Sequence, residues 1–350
     1  MPDPAALLDA AAADGVFSGA VLRVEDLATP TTLLEHVVGR TSAEPQGAPV
    51  RADSLFDLAS LTKLVTATTT LRLVAQSLLD LDADVGALLD APTGLHQGIT
   101  VRHLLEHTSG LPAWAPLWQA GPVMDVALAT PREAAPGSRH CYSDIGFLVL
   151  MRVLETVTGA GLRALQRDLV LEPFGLTRTD YRGVGPGAPE LLQSGDVVAT
   201  ERCPERGLLI GAASDRNTWH MGGVAPHAGL FGPAGDLATF ARRWWTAPSR
   251  GLLPASLWQA VWRPPAHPGG HVLGWDTVPP QGYTSAGRRL SPRSRGHLGF
   301  SGCSIWIDPD RAVAVILLSN RIHPHRDDTR IRDLRPALHD AVASAVDAVR

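Results

Sequence analysis

Apolar runs near both ends of the chain predict β-strands. Residues 19–26 and 32–40 are two such runs near the beginning, and residues 297–307 and 312–320 are two more near the end. The last two are joined by residues 308–311, Asp-Pro-Asp-Arg, which are typical turn formers. We therefore predict two neighbouring strands at the start of the chain and a hairpin near its end.

The intervening chain mostly repeats apolar residues at the spacing of a helix. Residues 60–77 predict one helix, and residues 144–171 predict one or two helices that Pro173 and Gly175 bring to an end. Further helical segments are predicted at 80–130 in short pieces, at 237–245 and, as an amphipathic helix, at 329–350. Three segments show neither the helical nor the strand spacing of apolar residues. Residues 182–215 are mixed and loop-rich, residues 222–232 form a glycine-rich turn, and residues 263–296 are the best candidate for a mobile loop.

Strands at both ends and helices between them predict an α+β fold, an α/β sandwich. In this fold an antiparallel sheet is built from both termini and flanked by helices, with a mainly helical region inserted. The chain has 350 residues, which is long for one compact domain. We predict an α/β domain of residues 1–76 plus 216–350, a mainly helical domain of residues 77–215, and an active site between them.

The composition argues against several classes of function. The net charge is -4, which does not suggest the basic surface that a nucleic-acid partner usually needs. No apolar run reaches the ~18 residues that a membrane-spanning helix needs. Asp3 and Asp9 stand where a secretory signal would be basic and apolar, so we expect a cytoplasmic protein. Cys141, Cys203 and Cys303 show no paired spacing, which fits a reducing compartment.

The chain contains 30 arginines but a single lysine, Lys63. Arginine can replace lysine as a surface charge but not as a base, because it does not deprotonate in proteins. Lys63 is therefore a candidate for chemistry, with chance retention as the alternative. Ser60 lies three residues earlier and shares a helix face with it. A serine nucleophile needs an adjacent base, and burial can lower a lysine pKa enough to supply one.

Two further segments could complete such a site. Residues 142–144, Tyr-Ser-Asp, offer a phenol that could shuttle protons beside an ammonium group. Residues 297–302, His-Leu-Gly-Phe-Ser-Gly, offer a strand whose glycine lets a ligand approach the backbone. Taken singly, each has a structural explanation that is preferred: Asp144 as a helix cap, and the glycine as a bulge in an edge strand.

In this order, Ser-x-x-Lys at 60–63, Tyr-x-Asp at 142–144 and His-Leu-Gly at 297–299 resemble the β-lactamase and penicillin-binding serine hydrolase superfamily. The likeness is nearest to the class C β-lactamase branch and the related esterases. Residues 101–111, which end in His-Thr-Ser-Gly-Leu, and the glycine-rich segment 222–232 also resemble segments of that family.

The resemblance, which spans roughly residues 15–322, implies roles for individual residues. Ser60 would attack an acyl carbonyl, Lys63 and Tyr142 would share the role of general base, and Tyr142 would protonate the leaving group. The backbone N–H groups of Ser60 and Phe300 would form the oxyanion hole. Substrate contacts would come from Asp144, His297, Leu298 and Gly299. The substrate would be a small ester or amide, with no metal and no cofactor.

Two departures from the family pattern shape the expected specificity. Asp144 replaces the family asparagine, cannot donate to a substrate carbonyl, and favours the charged form of Lys63. His297 and Leu298 replace a lysine and a threonine that would hold a β-lactam carboxylate. We therefore predict an esterase with weak or no β-lactamase activity. The alternatives are a D-amino-acid peptidase or β-lactamase of the same family, and, from another class, a non-catalytic scaffold.

Several other residues have two interpretations. His103, Glu106 and His107 fit a zinc-protease pattern, although a helix stop follows them. His323, His325, Asp327 and Asp328 could be metal ligands or part of a solvated loop. Asp215, Asn217 and His227 could line the cleft or stabilise a turn. Trp114, Trp118 and Trp306 could shape a substrate pocket or pack in the core.

Overall fold

The computed structural model describes residues 3–89, 94–186 and 195–350. Its strands are β1 (Gly19–Asp26), β2 (Thr31–Gly39), β3 (Phe56–Asp57), β4 (Asp180–Tyr181), β5 (Ala199–Cys203), β6 (Gly207–Ile210), β7 (Leu230–Gly232), β8 (His271–Val272), β9 (Trp275–Thr277), β10 (Arg295–Leu298), β11 (Ser304–Asp308) and β12 (Val313–Ser319). Within these ranges the largest sheet has seven strands in the order β2-β1-β12-β11-β10-β9-β8, and smaller sheets join β3-β7-β4 and β5-β6.

The helices are α1 (Pro4–Ala13), α2 (Thr62–Ala75), α3 (Val85–Leu88), α4 (Val101–Leu105), α5 (Val123–Ala129), α6 (Asp144–Thr158), α7 (Leu162–Gln166), α8 (Glu172–Phe174), α9 (Arg216–His220), α10 (Ala234–Trp245), α11 (Ala255–Val261) and α12 (Ile331–Val349). Short 3₁₀ turns occur at Ala59–Leu61 and Leu117–Gln119, and a π-helical turn at Arg167–Leu171.

Strands from the two ends of the chain pair with each other inside the large sheet, as its second and third strands. β1 pairs antiparallel with β2 on one side and with β12 on the other, so that Ala20 lies opposite Ser319. This pairing confirms the predicted α+β fold, in which the antiparallel sheet is built from both termini.

Successive residues of the central strands face opposite sides of the sheet, and both sides are buried. Leu22 of β1 and Leu317 of β12 pack in one cluster with α1 and α12, while Val21 packs in a second cluster with α10. Each buried side chain of this kind contributes about 1.5–3 kcal/mol of apolar burial. Two helical layers therefore hold the sheet rigid behind the site.

The predicted continuous strand at 297–307 is wrong. β10 ends at Leu298, a turn follows, and β11 begins at Ser304. Gly302 in this turn has a φ of 115°, which side-chain-bearing residues rarely adopt, and the Gly299 N–H donates to the Cys303 carbonyl at 2.7 Å. The two strands therefore form a tight hairpin whose turn carries the residues predicted to bind substrate.

Two other sequence predictions are refined. Pro173 does not end a helix but stands in the first turn of α8, where the missing N–H is tolerated; Gly175, with a φ of 76°, follows the helix end. The predicted mobile loop 263–296 contains β8 and β9. Part of the loop-rich stretch 182–215 lies outside the described residues. The division into two domains stays a prediction.

Among the described helices, none taken alone has the length and apolarity needed to cross a membrane. Asp144–Thr158 and Leu162–Phe174 meet that criterion only as a pair, which is bent by 82°.

Candidate active site

Ser60 lies in the 3₁₀ turn that leads into α2. The preceding Ala59 has a φ of 46°, a left-handed conformation that costs an L-residue about 1–2 kcal/mol. The carboxylate of Asp57 holds this turn, because its Oδ1 accepts a hydrogen bond from the Ala59 N–H at 2.9 Å. Strain held by surrounding contacts is common where a functional side chain must be presented in one orientation.

Lys63 is fully buried as the second residue of α2, and oxygen atoms surround its amine. Nζ donates to the Ser60 hydroxyl at 3.0 Å and to the main-chain carbonyl of His227 at 3.4 Å. It also lies 2.6 Å from Oδ1 of Asp144. The structure thus brings together the predicted serine, lysine and aspartate, and adds a carbonyl from the glycine-rich segment.

The contacts of Lys63 determine its charge. Burial disfavours the ammonium form, but the neighbouring Asp144 carboxylate and Tyr142 outweigh it, so the pKa of Lys63 lies above its ordinary value. Burial raises the pKa of the Tyr142 phenol above its ordinary value, although Lys63 opposes this effect. At neutral pH both groups therefore hold their protons in the absence of substrate.

Tyr142 is positioned by the start of α6. Ser143 is the N-cap of this helix, and its hydroxyl accepts from the Gly146 N–H at 2.9 Å. The Ser143 N–H donates to Nδ1 of His107 at 2.9 Å. These contacts fix the backbone directly after Tyr142, whose ring centroid lies 4.6 Å from the Lys63 amine.

Several histidines from different elements surround Tyr142. The ring centroids of His107, His271 and His297 lie 4.5, 5.4 and 5.9 Å from the Tyr142 centroid. Nδ1 of His271 is 3.0 Å from Nε2 of His140. Burial is the main cause that lowers the pKa of His297 to about 3 and those of His107 and His271 well below the usual value. These rings are therefore neutral, and they line the site without adding positive charge beside Lys63.

The hairpin turn between β10 and β11 lies directly against the nucleophile turn. A Cβ on Gly299 would come within 2.7 Å of the Leu58 carbonyl, so only glycine fits there. The Ser301 hydroxyl donates to the Asp57 carbonyl at 2.6 Å. In the part of the chain that the structure describes, the Phe300 amide has no hydrogen-bond acceptor. It is thus free to donate to a substrate.

Two cavities meet at the nucleophile, and both are lined by Ser60, Tyr142, Phe300 and Arg326. The first, here called the Trp cavity, has a volume of about 740 Å³ and is also lined by Trp114, Trp118, Asp144 and Asp215. The second, here called the His cavity, has a volume of about 630 Å³ and is also lined by His271, His297, Leu298 and Gly299. Every predicted site residue except Lys63, which is buried beneath the serine, thus lines one of the two cavities.

Helix α9 supports the wall of the Trp cavity. Asn217 is buried, accepts from the Leu117 N–H at 3.1 Å, and donates to the Ala115 carbonyl at 3.0 Å. Asn217 therefore ties α9 to the segment that carries Trp114 and Trp118. Asn217 was predicted above as a cleft or turn residue, and its two hydrogen bonds place it behind the wall of the cavity.

Asp215 and His227 form a second polar pair beside the lysine. Asp215 Oδ1 lies 3.0 Å from His227 Nε2 and also caps α9 by accepting from the Thr218 N–H. Burial opposes ionisation of Asp215, but the contact with His227 outweighs it and holds the pKa of that carboxyl below its usual range. Ligand atoms of Asp144, Asp215 and His227 lie within 4.8 Å of one another, yet the Lys63 ammonium already neutralises Asp144.

The zinc interpretation of residues 103–107 does not fit the local structure. α4 ends before Glu106, and Glu106 forms an ion pair with Arg263. His107 has a φ of 56°, and its Nδ1 accepts from the Ser143 N–H, as described above. The buried His323 likewise uses Nε2 to accept from the Ala43 N–H at 3.0 Å. Trp306 is buried in the core, whereas Trp114 and Trp118 line the cavity.

Comparison with known proteins supports the resemblance to β-lactamase-type serine hydrolases. A family model described as Beta-lactamase matches residues 5–339. The chain is 27% identical over 310 residues to an Escherichia coli (strain K12) protein named "Putative D-alanyl-D-alanine carboxypeptidase", an alignment that covers 79% of this chain and 71% of that protein.

Two solved structures share the fold at low identity. Unliganded simvastatin synthase (LovD) from Aspergillus terreus aligns with a TM-score of 0.75 and 20% identity over 99% of each chain. EstCE1, described as a hydrolase with promiscuous acyltransferase activity, aligns with a TM-score of 0.71 and 22% identity over 95% of this chain and 97% of its own.

Proposed function

The chain belongs to the β-lactamase family of serine hydrolases, and within that family we propose that it hydrolyses small esters through an acyl-enzyme on Ser60. The observation that carries the proposal is the 3.0 Å hydrogen bond from the buried Lys63 amine to the Ser60 hydroxyl. A serine hydroxyl gains nucleophilicity when a neighbouring group can take its proton, and here both members of that pair lie at the junction of two cavities.

In the proposed reaction, the Ser60 oxygen attacks the acyl carbonyl and its proton passes to Lys63 or Tyr142. The carbonyl oxygen becomes an oxyanion that accepts from the amides of Ser60 and Phe300; losing one such donor typically lowers the rate ~10²–10³-fold. Tyr142 then gives a proton to the departing alcohol. Water adds to the acyl-enzyme, the carboxylic acid leaves, and Ser60 regains its proton.

The charge state of the site favours Tyr142 as the group that moves the proton. Asp144 stabilises the ammonium of Lys63, so Lys63 in turn stabilises a phenolate form of Tyr142 by its positive charge. Lys63 would then orient and charge-balance the phenol while Tyr142 exchanges protons with Ser60 and the leaving group. This division of roles makes Lys63 essential even if it does not lose its own proton.

The replaced family residues favour esters over β-lactams. The Asp144 carboxylate can only accept hydrogen bonds, and His297 is neutral because its pKa is lowered to about 3 mainly by burial. Asp144 thus lacks the donor, and His297 the fixed charge, that a β-lactam would need. The proposed partner is therefore a small acyl substrate, and we retain cytoplasmic location as part of this proposal.

The relatives suggest a second candidate, acyl transfer to an alcohol or amine in place of water. EstCE1 is described as a hydrolase with acyltransferase activity. The presence of two cavities at one serine favours this candidate, because an acceptor could occupy one cavity while the acyl group occupies the other. Carboxypeptidase activity on D-alanyl peptides is the corresponding amide candidate.

Parallel assays with p-nitrophenyl acetate and the β-lactam nitrocefin test the proposal. We expect p-nitrophenol release that Ser60→Ala abolishes, and little or no nitrocefin turnover. Fast nitrocefin turnover without ester hydrolysis would contradict it in favour of a β-lactamase. A non-catalytic scaffold would instead leave Ser60 unlabelled by both a fluorophosphonate and a labelled penicillin.

A further inference from the structure

Phe300 occupies an unusual place for a large apolar side chain. It lines both the Trp cavity and the His cavity, next to Ser60 in each. It is nevertheless 48% exposed, whereas most large apolar side chains of this chain are buried. Its ring therefore stands at the boundary between the cavities instead of packing into the core.

Two guanidinium groups lie over this ring. The central carbon of Arg321 is 4.4 Å from the ring centroid, and that of Arg326 is 4.8 Å away. Each such contact contributes about 0.5–1 kcal/mol at an exposed site. The ring is thus held by two positive charges although about half of it is exposed.

The two arginines are themselves fixed by other contacts. Arg321 Nε donates to the main-chain carbonyl of Phe300 at 2.9 Å. Arg326 forms an ion pair with the buried Glu201 and donates to the Ser214 hydroxyl at 3.0 Å. Because both guanidinium groups have partners outside the ring, they position the ring before any substrate arrives.

We propose that the side chain of Phe300 is a specificity determinant that divides the site into two cavities and excludes esters branched next to the scissile bond. This inference rests on the proposed ester hydrolysis at Ser60. If the Phe300 amide binds the carbonyl oxygen, the Cβ of the same residue lies close to the reacting carbon. A tert-butyl group on either side of the ester would then meet the ring.

The favoured substrates are accordingly esters that are unbranched beside the ester group and extended further away. The cavities of about 740 and 630 Å³ can hold sizeable groups on both sides. Selection therefore acts at the atoms nearest the carbonyl and not on total length.

The test compares p-nitrophenyl acetate with p-nitrophenyl pivalate, and ethyl acetate with tert-butyl acetate. Phe300→Ala keeps the amide N–H but removes the ring. We expect the ratio of kcat/KM for the unbranched to the branched ester to fall about tenfold or more in at least one pair, as expected for a lost steric contact. Comparing ratios between enzymes cancels the lower intrinsic reactivity of the branched esters.

Tyr283→Ala is the matched control. Tyr283 is also an exposed aromatic residue, with 50% of its surface accessible, and the guanidinium carbon of Arg332 lies 5.2 Å from its ring centroid. Unlike Phe300, it lines neither of the two cavities. The ratios of kcat/KM for unbranched to branched esters measured for Tyr283→Ala should equal those of the parent enzyme. Phe300→Tyr, which keeps the ring, should also keep the ratios, and Phe300→Leu replaces Phe300→Ala if the latter does not fold.

Unchanged ratios in a folded Phe300→Ala or Phe300→Leu enzyme that still hydrolyses p-nitrophenyl acetate would overturn the inference. The proposed function would survive that result. Conversely, a wild-type enzyme that forms no acetyl-enzyme on Ser60 would overturn the proposed function first, so the two failures are distinguishable.

Discussion

Lys63 Nζ lies 2.6 Å from Asp144 Oδ1 and 3.0 Å from Ser60 Oγ, so one buried amine bridges the nucleophile and a carboxylate. The carboxylate stands where the family pattern has a neutral asparagine. Its charge favours the ammonium form of Lys63 and raises the pKa of that group against the effect of burial. The site thus rests in a protonated state and must lose a proton before Ser60 can attack.

Asp144→Asn should shift the pH dependence of the reaction. Activity should rise with pH as the Lys63–Tyr142 pair loses a proton. Without the neighbouring negative charge, the pKa values of Lys63 and Tyr142 both fall, so the rising limb should move to lower pH. The measurement is kcat/KM for p-nitrophenyl acetate against pH. If the rising limb of the pH profile stays in place or moves to higher pH, Asp144 does not control the protonation of the site.

The same variant should gain reactivity towards penicillin. The asparagine amide can donate to a substrate carbonyl, which the carboxylate cannot do. Mass analysis of the protein after incubation with penicillin measures this acylation directly. Equal acylation of Asp144→Asn and the parent would remove the argument from the lost donor.

Lys63→Arg should inactivate the enzyme without removing its positive charge. The guanidinium can still pair with Asp144, but it is planar and larger, so it cannot present a compact amine that orients both Ser60 and the proton-transferring Tyr142. We expect kcat for p-nitrophenyl acetate to fall about 10²–10⁴-fold, the usual contribution of acid–base catalysis. Activity within a few fold of the parent would show that any cation suffices at this position.

The fold was largely predictable from local sequence because both termini carry strong strand patterns. β1 spans the predicted residues 19–26, and β2 differs from the predicted 32–40 by one residue at each end. The turn between β10 and β11 was not predictable by pattern, because residues 299–303 are small or apolar and read as a continuation of the strand. Their conformation depends on contact with Leu58, which is distant in sequence.

The site was predictable only where a rare residue or a motif marked it. Lys63 was conspicuous as the single lysine, and the motifs located Tyr142 and the hairpin turn. Nothing local distinguishes His271, which reaches Tyr142 only because β8 pairs with β9 at the edge of the large sheet. The left-handed φ of Ala59 also has no sequence signal, since alanine does not favour it.

Asn217→Ala should impair substrate binding in the Trp cavity more than it slows the chemical steps at Ser60. The substitution removes the side-chain hydrogen bonds to the Leu117 N–H and the Ala115 carbonyl, which still bond to each other at 2.9 Å, and each lost hydrogen bond costs about 0.5–1.5 kcal/mol. We expect KM to rise for esters with large acyl groups while kcat for p-nitrophenyl acetate changes little. A fall in kcat for acetate equal to that for large esters would contradict this role.

Gly274→Ala should destabilise α2, the helix that follows the nucleophile turn and carries Lys63. A Cβ at Gly274 would come within 2.4 Å of the Ala67 Cβ in α2, and the φ of Gly274 is 88°. Strain and overpacking together should lower the free energy of unfolding by about 2–4 kcal/mol. Urea unfolding measures the change.

Gly15→Ala separates the two causes. Its φ is also positive, at 70°, but a Cβ there meets no atom of the described residues within 4 Å. It should therefore show only the backbone penalty of about 1–2 kcal/mol. Equal losses in both variants would mean that the contact with Ala67 is relieved at no cost.

The most direct test of the account is the intact mass of the protein, quenched during turnover of p-nitrophenyl acetate. We predict that the wild-type chain gains one acetyl group, that peptide mapping places it on Ser60, and that Ser60→Ala gains none. Steady ester hydrolysis that persists in Ser60→Ala, or an acetyl group on another residue that accounts for turnover, would contradict the central claim.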